Sequence, residues 1–201
     1  MVDSSSIHVT YALKVIQSHL VQYENDFFHV IGVVQNDEKK TIDNIYAVAT
    51  LFDKNDSILG NYSNQVEVHP LRPSETTPFD ITIYNRDQND LIKNYSISFN
   101  FNSTAADANR EFEIHSVSSR SDMLGFYFIN GRITNNMNII SNNTLVIATV
   151  LDRDQNLLGV WKAQTEPYNI PPLATASFTI PVTDGTQGLR ITNHTLYVNN
   201  S

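Results

Sequence analysis

Short apolar runs separated by polar turns recur along the whole chain. Their alternation has the period of a strand, not of a helix. In the first half the runs fall near residues 7–16, 27–34, 44–52, 57–60, 64–69, 76–84 and 95–101. In the second half they fall near 111–116, 125–133, 143–151, 156–161, 165–168, 175–182 and 195–198. Asp53-Lys54-Asn55-Asp56-Ser57 and Asp152-Arg153-Asp154-Gln155-Asn156 each link two runs. Asp and Asn favour such turns because their side chains bond nearby backbone amides. Gly60 and Gly159 end or kink the strand that follows. Pro73 and Pro172 stand before the next long strand, where a missing donor costs least. At 11–23 a strand is expected, matching the alternation of Phe112-Glu113-Ile114. Ala12, Val15, Ile16, His19, Leu20 and Tyr23 would also suit a short amphipathic helix there.

The two halves are copies of one unit. At an offset of 99 residues, 27–102 align with 126–201 without a gap, and 19 of the 76 positions are identical. Among the identities are Gly32/Gly131, Asn36/Asn135, Ala49/Ala148, Asp53/Asp152, Gly60/Gly159 and Phe79/Phe178. A period of this length matches a whole domain, not a solenoid unit. Modules are therefore expected at 7–102 and 111–201, joined by a short polar linker at 103–110. About seven strands in ~90 residues is the density of an immunoglobulin-like sandwich. The expected fold is all-β, as two tandem immunoglobulin-like antiparallel β-sandwich domains. Comparing copies also suggests which face is core. Tyr46, Val48 and Phe52 meet Leu145, Ile147 and Leu151, bulky in both, so they are expected inside. The smaller Ile45/Thr144, Ala47/Val146 and Ala49/Ala148 are expected outside.

Composition narrows the function. The net charge of −8 leaves no basic footprint for phosphates, so nucleic acid is not an expected partner. The absence of cysteine excludes disulfides, thiolate metal sites and cysteine catalysis. No apolar stretch approaches the length of a membrane-spanning helix.

The runs Gly32–Ile81 and Gly131–Ile180 resemble the FxLYD-type domain family, and the resemblance covers most of both copies. The family's motif strand stands as Ala49-Thr50-Leu51-Phe52-Asp53 and Ala148-Thr149-Val150-Leu151-Asp152. The aspartate keeps its place, while alanine replaces the leading aromatic. The family's Gly-x-Val-x-Asn strand appears as Gly32-Val33-Val34-Gln35-Asn36, and its Pro-containing exit as Leu71-Arg72-Pro73-Ser74-Glu75. The resemblance implies immunoglobulin-like modules of bacterial or archaeal surface and secreted proteins, without catalytic residues. An Asn-rich, cysteine-free composition suits an archaeal surface protein. The expected location is extracellular or at the cell surface, with other domains of a larger parent chain among the expected partners.

Several residues are candidates for chemistry. Sequons stand at Asn55, Asn61, Asn94, Asn102, Asn142, Asn193 and Asn199, where glycosylation and ordinary turn asparagine compete. Asp53, Asn55, Asp152 and Asp154 are spaced like the opening of a calcium loop, but the central Gly and distal Glu are missing, so turn capping is favoured and no metal or cofactor is expected. His8, His19, His29, His69, His115 and His194 show no zinc-like pairing. Glu67 and Glu166 recur, yet one glutamate per module does not make a carboxylate pair. No enzyme is expected. Tyr62 and Trp161 occupy equivalent positions, with Tyr168 nearby in the chain. They could bind a protein or surface glycan, or simply pack. The expected function is a non-catalytic module pair with a structural, assembly or adhesion role. The alternative is a carbohydrate- or peptide-binding accessory module of a larger secreted protein.

Overall fold

The computed structural model describes residues 12–24, 27–84, 90–104 and 109–200. Residues 7–11 of the expected first run and 105–108 of the expected linker lie outside them. The chain divides into two compact units, Met1–Ala108 and Asn109–Ser201, each with its own apolar core.

The first module contains β1 (Leu13–Gln22), β2 (Phe28–Asn36), β3 (Ile42–Phe52), β4 (Ile58–Gln65), β5 (Thr76–Ile83) and β6 (Asn94–Ser103). One sheet has the order β1-β2-β5 and the other β4-β3-β6, all antiparallel. The second module repeats the plan with β7 (Phe112–Ser121), β8 (Tyr127–Asn135), β9 (Leu145–Leu151), β10 (Leu157–Gln164), β11 (Thr175–Val182) and β12 (Asn193–Asn199). Its sheets are β7-β8-β11 and β10-β9-β12. The chain is thus a tandem pair of all-β, sandwich-like domains. A single helical turn, α1 (Gly185–Gly188), precedes β12 and is capped by the Asp184 side chain. The helix considered at 11–23 is not formed, since β1 is extended through Gln22.

Each module has six described strands rather than seven. The run expected at 64–69 is a crossing segment between the sheets. The Val66 amide still donates to the Ile45 carbonyl on β3, whereas the Glu67 amide donates to Pro78 on β5. In the second module, Thr165 donates to Thr144, and Glu166 then exchanges two backbone bonds with Ser177 on β11. Val66 and Val68 are buried along the way. Alternating apolar residues are needed here to seal the sandwich edge, so the segment reads like a strand.

The expected core face of β3 is reversed. Ile45, Ala47, Ala49 and Leu51 are fully buried in the core, while Tyr46 is 44% exposed. In β9 the inward residues are Val146, Ala148 and Val150. Size misleads because space is shared across the sheet. Ala49 lies between Tyr62 of β4 and Ile97 of β6, and Ala148 between Trp161 and Leu196. From the opposite sheet, Phe79 meets Phe99 edge-to-face at 5.8 Å. A small central residue thus stands between large neighbours on the inward face, so side-chain size does not mark the core face. Bulky residues on the other face cover the outside of the sheet, and Ile147 is buried there outside the main core cluster.

The repeated glycine and phenylalanine make one contact. Gly32 of β2 faces Phe79 of β5, and a Cβ on Gly32 would lie 2.3 Å from the ring. Gly131 and Phe178 repeat this at 2.5 Å. The ring fills the place a side chain would take, so each residue requires the other.

Candidate functional site

The acidic turns are closed by their own backbone. Asp53 Oδ1 accepts hydrogen bonds from the amides of Asn55 (2.7 Å) and Ser57 (2.8 Å). Asp152 Oδ1 accepts from Asp154 and Asn156, both at 2.9 Å. The same geometry recurs at Asp122, which accepts from Leu124 and Phe126. That third turn, Asp122-Met123-Leu124-Gly125, was not singled out in the sequence, although an Asp three residues before a Gly was its visible signal. Asp56 and Gln155 adopt left-handed conformations that bring the amides onto the carboxylate. Backbone bonds from Ser57 and Asn55 hold the Asp53 carboxyl below its ordinary range. At Asp152 partial burial works upward, but bonds from Asn156 and Asp154 and the nearby Arg190 outweigh it. Amide donors converge on these carboxylates, an arrangement that caps a turn rather than encloses a cation. Among the described residues no group of three or more His, Asp or Glu side chains is placed to hold a metal ion.

The repeated asparagines Asn36 and Asn135 are completely buried. Asn135 Nδ2 donates to the carbonyls of Ile139 (2.8 Å), Ile170 (2.9 Å) and Pro171 (3.3 Å), and its Oδ1 accepts from Met137. Asn36 does the same toward Lys40, Leu71 and Glu38. Each amide joins the loop after the second strand to the loop before the fifth. Sequence alone marked them as repeated, but only the geometry shows that they tie loops together.

Tyr62 and Trp161 are half-buried and pack against the cores of their respective modules. Tyr168 is 54% exposed on the crossing segment of the second module, with its carbonyl accepting from the Thr144 amide. Of the sequon asparagines, Asn55, Asn61, Asn102, Asn142 and Asn193 are exposed, while Asn94 and Asn199 are half-buried. Asn94 and Asn193 open β6 and β12 in the same way, each accepting the next residue's amide at 2.8 Å.

The histidines are dispersed, and His8 lies outside the described residues. His29 Nδ1 pairs with Asp80 at 2.7 Å while its ring stacks on Tyr23 at 4.2 Å. His69 lies 3.6 Å from Asp43, and His115 contacts Thr134. Burial holds the His194 pKa below its ordinary value. The repeated glutamates sit on the crossing segments, where their backbone amides serve the fold.

No protein-family model matches the chain, and no curated protein matches it. Among solved structures, the chain shows a slight likeness to red sea bream transglutaminase, with 12% identity and a TM-score of 0.30. The match covers 96% of this chain but only 29% of that protein. A likeness of this size says nothing about the chemistry of the present chain.

Proposed function

We propose that the chain is a non-catalytic pair of immunoglobulin-like, FxLYD-type modules serving structure, assembly or adhesion outside the cell. The observation that carries this is the use made of the positions identical in both copies. Gly32/Gly131 and Phe79/Phe178 are mutual packing partners. Asn36/Asn135 tie loops, Asp53/Asp152 cap turns, and Ala49/Ala148 line the cores. A duplicated binding or catalytic site would recur as exposed polar groups converging on a cleft. The five pairs named above serve the scaffold, which supports this reading. Carbohydrate or peptide binding has the exposed Tyr168 in its favour, but the core packing of Tyr62 and Trp161 uses ring surface that stacking on a sugar would need.

The location is tested by brief protease treatment of intact cells of the native source. Release of this chain's peptides is expected. Full protection in intact cells, with cleavage only after lysis, would contradict an extracellular role. The same peptides would show whether exposed sequons such as Asn61 and Asn142 carry glycans.

A further inference from the structure

We infer that one end of the second module is a membrane-docking tip, where Met123, Leu124 and Leu189 enter the apolar layer of a phospholipid bilayer and nearby arginines meet its phosphates. The inference goes beyond the adhesion role proposed above, which names no partner. Its test is independent of that role, because the purified chain binds or ignores vesicles wherever the native protein resides.

Three segments meet at this end: the β7–β8 turn, the β9–β10 turn, and the stretch from β11 through α1 to β12. Met123 is fully exposed there, and Leu124 and Leu189 are 76% and 73% exposed. The backbone beneath them is fixed. Asp122 Oδ1 accepts from the amides of Leu124 and Phe126 and holds the turn closed. Gly125 has φ of 87°, and a Cβ on it would lie 2.9 Å from the Gly185 carbonyl oxygen and 3.1 Å from Leu189 Cγ. A Cβ on Gly188 would collide with the Gly125 carbonyl oxygen. The turn and α1 are thus seated on each other, and Leu189 stands beside the Met123-Leu124 pair as part of one apolar cap. A cap already ordered costs little to bind with.

The fold does not require this cap. At the offset of 99 residues the first module has Glu24, Asn25 and Asp90 in place of Met123, Leu124 and Leu189. Exposed clustered apolar residues that the scaffold does not need mark a contact site.

Charge and area select the occupant. Arg120 and Arg153 are exposed at this end, and Arg190 is exposed while it bonds Asp152 at 3.4 Å. Asp122 and Asp152 turn their carboxylates onto turn amides, and Asp184 is buried as the cap of α1, which leaves Asp154 as the exposed acid. Glu111, Glu113 and Glu166 stand at the opposite end of the module. The second module has six Lys and Arg against seven Asp and Glu, whereas the first has seven against fourteen. The acidic excess of the chain therefore lies almost wholly outside the module that carries the cap. Even at the ~150–250 Å² that large aromatic side chains bury, three side chains fall short of the ~800 Å² per partner of a stable protein interface. A bilayer makes no such demand, because it moulds around a protruding tip and binds through buried apolar area and headgroup charge. An apolar cap flanked by arginines matches an apolar layer beneath a layer of phosphates.

Cosedimentation of the whole chain with vesicles tests this, using phosphatidylcholine alone and phosphatidylcholine mixed with phosphatidylglycerol. Binding to both is expected. Met123→Ser, Leu124→Ser and Leu189→Ser should each weaken it about tenfold. Arg120→Gln and Arg153→Gln should each weaken binding to the mixed vesicles about fivefold and affect phosphatidylcholine binding less. Far-UV circular dichroism checks that each variant is folded. If a variant does not fold, a polarity-sensitive dye replaces it. At Leu124→Cys its emission should shift to the blue when vesicles are added, while at Asn138→Cys, at the opposite end, it should not. A wild type that ignores both kinds of vesicle would overturn the inference and leave the cap to a protein partner. A folded triple serine variant that binds like the wild type, or a dye that shifts at Asn138→Cys and not at Leu124→Cys, would overturn it as well.

Discussion

Replacing Asn135 by alanine should cost the second module far more than its small side chain suggests. The fully buried side-chain amide donates to the carbonyls of Ile139 and Ile170 and accepts from the Met137 amide. Truncation leaves the buried Met137 amide without its partner, while the Ile170 carbonyl keeps the bond from the Ser141 amide. An orphaned buried polar group costs about 1–3 kcal/mol. The full penalty falls on the Met137 amide, whereas the Ile170 carbonyl loses one of two bonds and the Ile139 carbonyl, in a partly buried bond, can regain water. The expected loss is therefore about 2–4 kcal/mol rather than the sum of three full penalties. Against a domain stability of about 5–15 kcal/mol this is a large fraction. Trp161 is the only tryptophan and lies against the second core, so its fluorescence reports that module alone. Urea unfolding followed at Trp161 should show the full loss for Asn135→Ala. Asn36→Ala, in the other module, should leave the Trp161 transition in place. Asn135→Asp is nearly isosteric but sets a carboxylate oxygen against carbonyl oxygens, so it should be at least as damaging at neutral pH. A loss below about 0.5 kcal/mol for Asn135→Ala, the range of ordinary surface substitutions, would refute the assignment of these bonds as structural ties.

Gly131→Ala drives a methyl into the Phe178 ring and should cost about 1–3 kcal/mol, while Phe178→Leu in the same chain should recover part of it in urea melts. Leu173 is 75% exposed with φ of 59°, so Leu173→Gly relieves left-handed strain and should gain about 0.5–1 kcal/mol, whereas Leu173→Ala should give no such gain. His194 resists protonation when folded, so the unfolded chain takes up a proton near the ordinary value of 6.5 that the folded chain does not. Stability of the second module should therefore fall as pH drops through and below that value, then level off below the folded pKa. Replacing His194 by tyrosine, the residue at the equivalent Tyr95, should remove that component from Trp161-detected melts.

The fold was legible where local chemistry decides it. The offset of 99 residues, the Asp turns and most strands follow from residues that act on their own neighbours. The inward face of β3 did not, because it depends on what other strands contribute. Ala49 is a core residue because Tyr62 and Ile97 flank it, and no window around Ala49 contains either. A one-residue error in reading a strand exchanges its two faces completely. The register shift between Asp43 and Tyr46, beside Asn44 at positive φ, puts Ile42 and Ile45 both inside. The repeated Asn44/Asn143 was the available hint. The crossing segments read as strands because Val66 and Val68 obey strand periodicity while sealing an edge. Asn36 and Asn135 stood out by repetition, but their partners lie in loops about 35 residues away, beyond any local pattern.

The most direct test of the claim that shared positions form the scaffold uses the absence of cysteine from the chain. Single-cysteine variants at Ala49, Ala148 and Tyr46 each report one position to a thiol reagent. Protection at Ala49→Cys and Ala148→Cys until the module unfolds, with fast labelling at Tyr46→Cys, is the expected result. Fast labelling at both alanine positions with protection at Tyr46→Cys would show the alanine row facing outward and contradict the core on which the whole account stands.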